Sequence, residues 1–250
     1  EKFEEHADMF NIEKFPMQEI EKIDLQPDTK IIETKEAVFE AKTVIIATGA
    51  QAKKLGIKGE KEFAGRGVSY CAVCDGAFYR DKTVAVVGGG NAAVEEGCYL
   101  TKFANKVYII HRRDTLRADK IVQQRAFDND KVEFIYDTVP VEIKGTDSVE
   151  SFVVRNVKTN QETELKVDGV FPYIGFSPNI EHINAQLQQD EGGFIITDQY
   201  MQTSVKGVYA VGDVRTTPLR QVITAASDGA IAGCFATKYL DEIKEKTLSM

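Results

Sequence analysis

Apolar and polar residues change their spacing several times along this 250-residue chain, and each change marks an element. Phe3, Ala7 and Phe10 stand among charged neighbours at helical spacing, which predicts a short amphipathic helix within residues 1–14. Residues 19–25 (EIEKIDL), 30–34 and 37–41 alternate apolar with polar, separated by turns at Asp28 and at 34–36. That is the pattern of an antiparallel meander. Residues 43–47 (TVIIA) are instead continuously apolar, as expected of a strand buried on both faces, and stop at Thr48-Gly49-Ala50. From Gln51 to Gly67 no periodicity holds, so this stretch reads as a linker.

A second unit begins near Gly67. A buried strand at 83–87, a glycine cluster, a helix over 91–103 and a buried strand at 106–111 follow one another. Strand, helix and strand within about thirty residues make a βαβ unit with parallel strands. Strands are expected at 132–136, 142–145 and 151–156, and residues 167–174 return to continuous apolar character. A strand at 207–211 and a long helix over 220–240 close the chain. The layout predicts an α/β protein in which one domain, residues 53–168, is inserted into another split between 1–52 and 169–250.

Composition narrows the class without adding chemistry. Apolar residues make up 43% and charged residues 28%, ordinary for a globular protein. Lys and Arg number 31 against 39 Asp and Glu, a net charge of −8, and the arginines cluster in one short segment only. An acidic chain without a basic stripe argues against nucleic acid as the partner. No run approaches the roughly 18 apolar residues of a membrane helix. Nothing at Glu1 resembles a signal peptide, and the lack of an initiator Met suggests that the natural start is missing. The four cysteines, Cys71, Cys74, Cys98 and Cys234, do not form the spacing of a secreted disulfide framework. A soluble, cytoplasmic protein is the expectation.

Three constellations carry chemistry. Gly88, Gly90 and Ala93 fit G-x-G-x-x-A directly after a strand and before a helix opening at Asn91. In such a turn the first Gly allows the tight bend, the second lets backbone amides approach a pyrophosphate, and the third position packs helix on strand. The helix start adds unpaired N–H groups for phosphates. At the end of the next strand stand His111, Arg112 and Arg113, with Arg117 just beyond. A bare ribose calls for Asp or Glu here, whereas arginine suits a 2′-phosphate, so NADPH is favoured over NADH.

The second constellation is Cys71-Ala72-Val73-Cys74-Asp75. Two cysteines at this spacing serve as a redox disulfide, as half of a zinc site or as two inert thiols. Zinc needs four ligands, and His6, His111 and His182 are scattered. Thiol exchange must protonate one thiolate and deprotonate another, a task for which Asp75 is placed. Cys98 and Cys234, among small and apolar neighbours, read as core residues. In the third constellation a buried strand ends at Gly212-Asp213, and Arg220, Gln221 and Val222 open a helix. An Asp there can accept from a ribose or ribityl hydroxyl.

Together with Ala47-Thr48-Gly49-Ala50 and Gly207–Val214, these motifs stand in the order found in low-molecular-weight, bacterial-type thioredoxin reductases, which the chain resembles from about residue 3 to residue 240. The resemblance implies two Rossmann-like nucleotide-binding domains, an NADPH domain inserted in an FAD domain, usually working as a homodimer with thioredoxin as partner. It implies electron flow from NADPH to FAD, to a Cys71–Cys74 disulfide, and on to thioredoxin. Carried over, Asp75 is the acid/base. Gly88, Gly90, Asn91, Ala93, His111, Arg112, Arg113 and Arg117 hold NADPH, and no metal is used. Thr48, Gly49, Gly212, Asp213, Arg220, Gln221 and Val222 line FAD. The flavin subunit of an alkyl hydroperoxide reductase shares this layout but often prefers NADH, which the arginines oppose. Ferredoxin-linked relatives lack the paired Cys or the arginines. A non-catalytic nucleotide-binding module would need no dithiol.

The family's own N-terminal G-x-G-x-x-G turn for FAD is not found before Thr43, so the FAD domain is expected to be incomplete at its N-terminus, leaving apolar faces of 43–47 and 207–211 exposed. Residues 1–250 alone are then expected to bind FAD weakly or not at all, while 53–168 fold and bind NADPH. The visible spectrum of the purified chain, after FAD is added and the excess removed, checks this. Stoichiometric flavin would show that the motif is dispensable or the molecule longer.

Overall fold

A computed structural model describes residues 2–26, 28–183 and 186–248. The chain divides into two compact units, unit 1 from residues 1–51 and 177–250, and unit 2 from residues 52–176. In unit 1, α1 (Lys2–Asp8) is followed by β1 (Ile20–Asp24), β2 (Lys30–Thr34), β3 (Val38–Ala41), β4 (Val44–Ile46) and β5 (Ala50–Ala52), which ends on the first residue of unit 2. The helix is shorter than the 1–14 pattern allows and buries no residue, and Glu1 lies outside the described residues. The meander is as expected, antiparallel in the order β1-β2-β3.

Unit 2 holds α2 (Ala72–Asp75), β6 (Thr83–Val87), α3 (Asn91–Leu100), β7 (Lys106–Ile110), α4 (Lys120–Phe127) and β8 (Val132–Ile135). Then come β9 (Thr138–Gly145), β10 (Val149–Asn156), β11 (Glu162–Lys166) and β12 (Gly169–Pro172). A parallel sheet runs β12-β6-β7-β8, and an antiparallel one runs β11-β10-β9. Alternate residues of β6 enter opposite cores. Val84 and Val86 pack with Val107, Ile109 and Phe171, while Ala85 and Val87 pack with Phe63, Phe152 and Val170. That double burial explains the unbroken apolar run. Each fully buried Val contributes about 1.5–3 kcal/mol.

The chain returns to unit 1 through β13 (Phe176–Pro178), then β14 (Val208–Ala210) and α5 (Val222–Leu248). Three sequence expectations change. The inserted unit ends at 176 rather than 168, because Gly169–Pro172 pairs with Thr83–Val87 inside its sheet. Residues 51–67 are no slack linker: Phe63 is buried in the unit 2 core, and Glu60 accepts from Leu55 N and Gly56 N at 2.8 Å each and from Tyr70 Oη at 2.9 Å. Strand 43–47 is not covered on both faces: Ile45 is 41% exposed, and among the described residues β4 ladders with β14 alone. Val208, Tyr209 and Ala210 are nevertheless buried, in cores shared with Ile46 and with Ala232 and Ala236 of α5.

Beside the end of β14, Asp228 of α5 accepts from Gly212 N at 3.0 Å and from Arg215 Nε and Nη2 at 2.7 and 3.1 Å. Burial opposes ionisation of this carboxyl, but the guanidinium and the Gly212 N–H outweigh it and hold Asp228 below the ordinary Asp range. Asp228→Ala strands a half-buried cation and an N–H, and is expected to destabilise unit 1 by about 2–4 kcal/mol. Hydrogen exchange at the Val208–Ala210 amides checks this. A loss below about 1 kcal/mol would mean the pair behaves as a surface ion pair.

Candidate active site

The Cys71–Cys74 pair is a disulfide, Sγ–Sγ 2.06 Å and Cα–Cα 5.3 Å, at the start of α2 in unit 2. Cys71 is the N-cap in extended conformation, and its sulfur accepts from Cys74 N at 3.1 Å. Cys74 is exposed and Cys71 half-buried. Asp75, the next residue, accepts from Ser69 Oγ at 2.6 Å, and the same oxygen accepts from Cys71 N at 3.2 Å. Ser69 therefore ties the proposed acid/base to the backbone of the first cysteine, a role that sequence reading missed although it stands two residues before Cys71. Beneath them Tyr79 packs edge-on against Phe171, its phenol pushed up to about 12 by burial and by Asp75 and Asp168.

At the C-terminal edge of the parallel sheet lies a cavity of about 280 Å³ lined by Gly88, Gly89, His111, Arg112, Arg117 and Tyr173 among others. The glycine turn is held by its neighbours: a Cβ on Gly88, whose φ is +156°, would lie 2.5 Å from Tyr173 O, and one on Gly89 would lie 2.3 Å from the His111 ring. Gly90 faces open space, as a turn approached by a phosphate requires. Gly89 O accepts from Arg117 N and Ala118 N at 2.7 and 3.1 Å, which brings the arginine loop to the turn. Arg112, Arg113 and Arg117 are exposed and form no ion pair among the described residues, so their guanidinium groups are available to an anion. Arg113 does not line the cavity. Asn91 is engaged elsewhere: its side chain donates to Asp119 Oδ2 at 2.8 Å and accepts from Asp119 N at 2.7 Å, joining the starts of α3 and α4. Ala93 is buried against the turn.

In unit 1, Thr48 Oγ1 donates to Asn179 O at 2.6 Å, and Gly49, at φ +70°, accepts from Asn179 N at 3.0 Å. Gly212 also takes φ +70°, a conformation that favours glycine. Asp213 is half-buried and its carboxylate has no partner among the described residues, which suits an acceptor for a polyol hydroxyl. The Arg220 guanidinium lies over the Phe194 ring, 4.3 Å from its centroid, and Val222 begins α5 with an exposed side chain. Cys98 is half-buried against the core cluster of Val94, Ala118, Val122 and Ala126, as expected, whereas Cys234 is exposed and not the core residue its neighbours suggested. Among the described residues no cluster of His, Cys, Asp and Glu is arranged to hold a metal, and no helix is long and apolar enough to cross a membrane.

A disulfide on a short helix, in the same unit as a glycine-turn cleft edged by arginines, is the arrangement expected of a nucleotide-linked disulfide oxidoreductase. The chain belongs to the pyridine nucleotide-disulphide oxidoreductase family, whose model matches residues 4–229. It is similar to the thioredoxin reductase of Peptoclostridium acidaminophilum, 47% identical over 96% of this chain and 78% of that protein. It is 46% identical to the thioredoxin reductase of Bacillus subtilis, over 98% of this chain and 78% of that protein. The crystal structure of thioredoxin reductase from Streptococcus pyogenes matches with a TM-score of 0.89 and 51% identity, over 96% of this chain and 79% of that one. The likeness spans both units, which are of the Rossmann-like α/β class.

His111 supplies a pH test. The side chain is 4% exposed and Nε2 is buried without a partner. Burial, with Arg117, Arg113 and Arg112 adding to it against a bond to the Thr115 backbone, lowers its pKa below the ordinary 6.5. The unfolded chain therefore binds a proton near pH 6.5 that the folded one refuses, so stability falls as pH drops through this value. His111→Asn is expected to flatten the slope of unit 2 stability between neutral and mildly acid pH, measured by urea unfolding at stepped pH. An unchanged slope would assign the acid sensitivity to other groups.

Proposed function

We propose that the chain is an NADPH-dependent thioredoxin-disulfide reductase in which unit 2 holds the nucleotide and the Cys71–Cys74 pair and unit 1 contributes to the FAD site. The single observation that carries the reading is the disulfide on α2 within the unit whose glycine turn and free arginines form a nucleotide cleft. Gly88, Gly89 and Gly90 offer backbone to the pyrophosphate, and Arg112, Arg113 and Arg117 take the 2′-phosphate. Thr48, Gly49, Gly212, Asp213, Arg220, Gln221 and Val222 line the flavin. FAD, when bound, supplies the two-electron relay between nicotinamide and disulfide.

Reduction of the disulfide takes two electrons and two protons and yields the Cys71 and Cys74 thiols. One thiolate then attacks the disulfide of thioredoxin to give a mixed disulfide, and the other displaces the reduced partner, restoring the Cys71–Cys74 bond. Asp75, oriented by Ser69, carries the proton that the leaving thiolate needs. We read the enzyme as a homodimer in the cytoplasm, a reading supported by the family resemblance.

Two experiments test this. Replacing Arg112, Arg113 and Arg117 together by Ala is expected to erase the NADPH over NADH preference in kcat/KM. Each charge-assisted bond is worth about 1.5–3 kcal/mol, roughly ten- to a hundredfold. An unchanged ratio would remove these arginines from the cofactor site. Cys74→Ser in the FAD-loaded protein is expected to abolish thioredoxin reduction, and a normal rate would defeat the dithiol cycle.

A further inference from the structure

We propose that Tyr173 is a positioning residue for thiol–disulfide exchange, clamping the helix that carries Cys71 and Cys74 and favouring the disulfide over the dithiol. The proposal rests on the redox role assigned to this pair above. Ala72 is the first residue of α2, fully buried, and its N–H donates to the Tyr173 hydroxyl at 2.7 Å. The main chain of Tyr173 is fixed against the nucleotide turn: its N–H donates to Val87 O at 2.8 Å, and its carbonyl sits where a Gly88 Cβ would have to go. The ring lines the nucleotide cavity. One side chain thus spans from the glycine turn to the redox helix.

The bond matters differently in the two redox states. In the disulfide, Cys71 Sγ is bonded to Cys74 Sγ and already accepts from Cys74 N, so it cannot turn to serve Ala72. The Ala72 N–H then depends on Tyr173, and a buried N–H left unpaired is costly. Opening the S–S bond removes the cross-link over the first turn of α2, so in the proposed dithiol state the turn can relax and the N–H depends less on Tyr173. Burial, with Glu96 and Asp75 acting in the same direction against the Ala72 bond, raises the phenol's pKa, so the hydroxyl stays neutral through the working range. Its lone pair is therefore available to the Ala72 N–H while the disulfide stands.

The test is a redox titration of the whole chain against dithiothreitol. That reagent closes its own disulfide, giving two electrons and two protons, as the Cys71–Cys74 bond opens to two thiols. With alkylation done in denaturant, the free thiols Cys98 and Cys234 label in both states, so a gain of two alkylations in the mass spectrum marks the reaction. Tyr173→Phe keeps the ring and removes the acceptor. It is expected to shift the equilibrium about fivefold or more toward the dithiol.

Ala72→Pro removes the donor at a position where proline suits a helix start, and Cys71, at φ −142° and ψ 99°, already has the extended backbone that a following proline demands. In the Tyr173→Phe background the missing hydroxyl leaves room for the proline ring. The double variant is expected to return to within about twofold of wild type, which simple loosening of the fold would not achieve. A Tyr173→Phe midpoint within about twofold of wild type would overturn the proposal. So would rapid hydrogen exchange of the Ala72 amide in the oxidised wild-type chain, a measurement that needs no variant. If the pair could not be reduced and reoxidised at all, the dithiol function would fail instead.

Discussion

The chemistry of unit 2 depends on the parallel pairing of β12 with β6. In a parallel sheet the residue following each strand emerges at the same edge. The register places Pro172 beside Val87 and Val87 beside Ile110, so Tyr173, Gly88 and His111 leave the sheet as neighbours. Each then limits the next. Tyr173 O excludes a side chain at Gly88, and the His111 ring excludes one at Gly89. The bareness of the turn is thus enforced from both sides by adjoining strands, and a slip of one rung would separate the cleft residues together.

Much of this was legible because it is periodic or stereotyped. The continuous apolar run at 83–87, the glycines after it and the arginines after the next strand each follow from burial on two faces or from phosphate geometry. The meander at 19–41 alternates and is found where alternation places it. What escaped was held by polar ties without period. Residues 51–67 look slack in sequence because their order comes from the Glu60 carboxylate, which gathers two backbone N–H groups and a tyrosine hydroxyl. Ser69 and Tyr173 escaped for the same reason: Ser69 acts through hydrogen bonds to Asp75 and Cys71 that follow no period, and Tyr173 through one bond to Ala72 that only the fold brings near.

The boundary at 176 illustrates a different limit. Residues 167–174 are as apolar as a strand of either unit would be, and composition cannot say which sheet a buried strand joins. Its ladder partner decides, and β6 lies far back in the chain. Asn91 shows the converse. It matches a cofactor motif by position, yet its amide is spent on Asp119, so its visible work is to fix the spacing of two helix starts.

The division of the chain has a bearing on its biosynthesis. Unit 2 is one uninterrupted stretch, residues 52–176, whereas β4 of unit 1 must find β14, whose residues are translated only after all of unit 2. A ribosome adding about 5–20 residues per second leaves the first segment of unit 1 waiting roughly ten to thirty seconds for its partner strand. Unit 2 can complete its sheet during that interval. The Rossmann-like unit therefore emerges as the earliest finished part of the nascent chain.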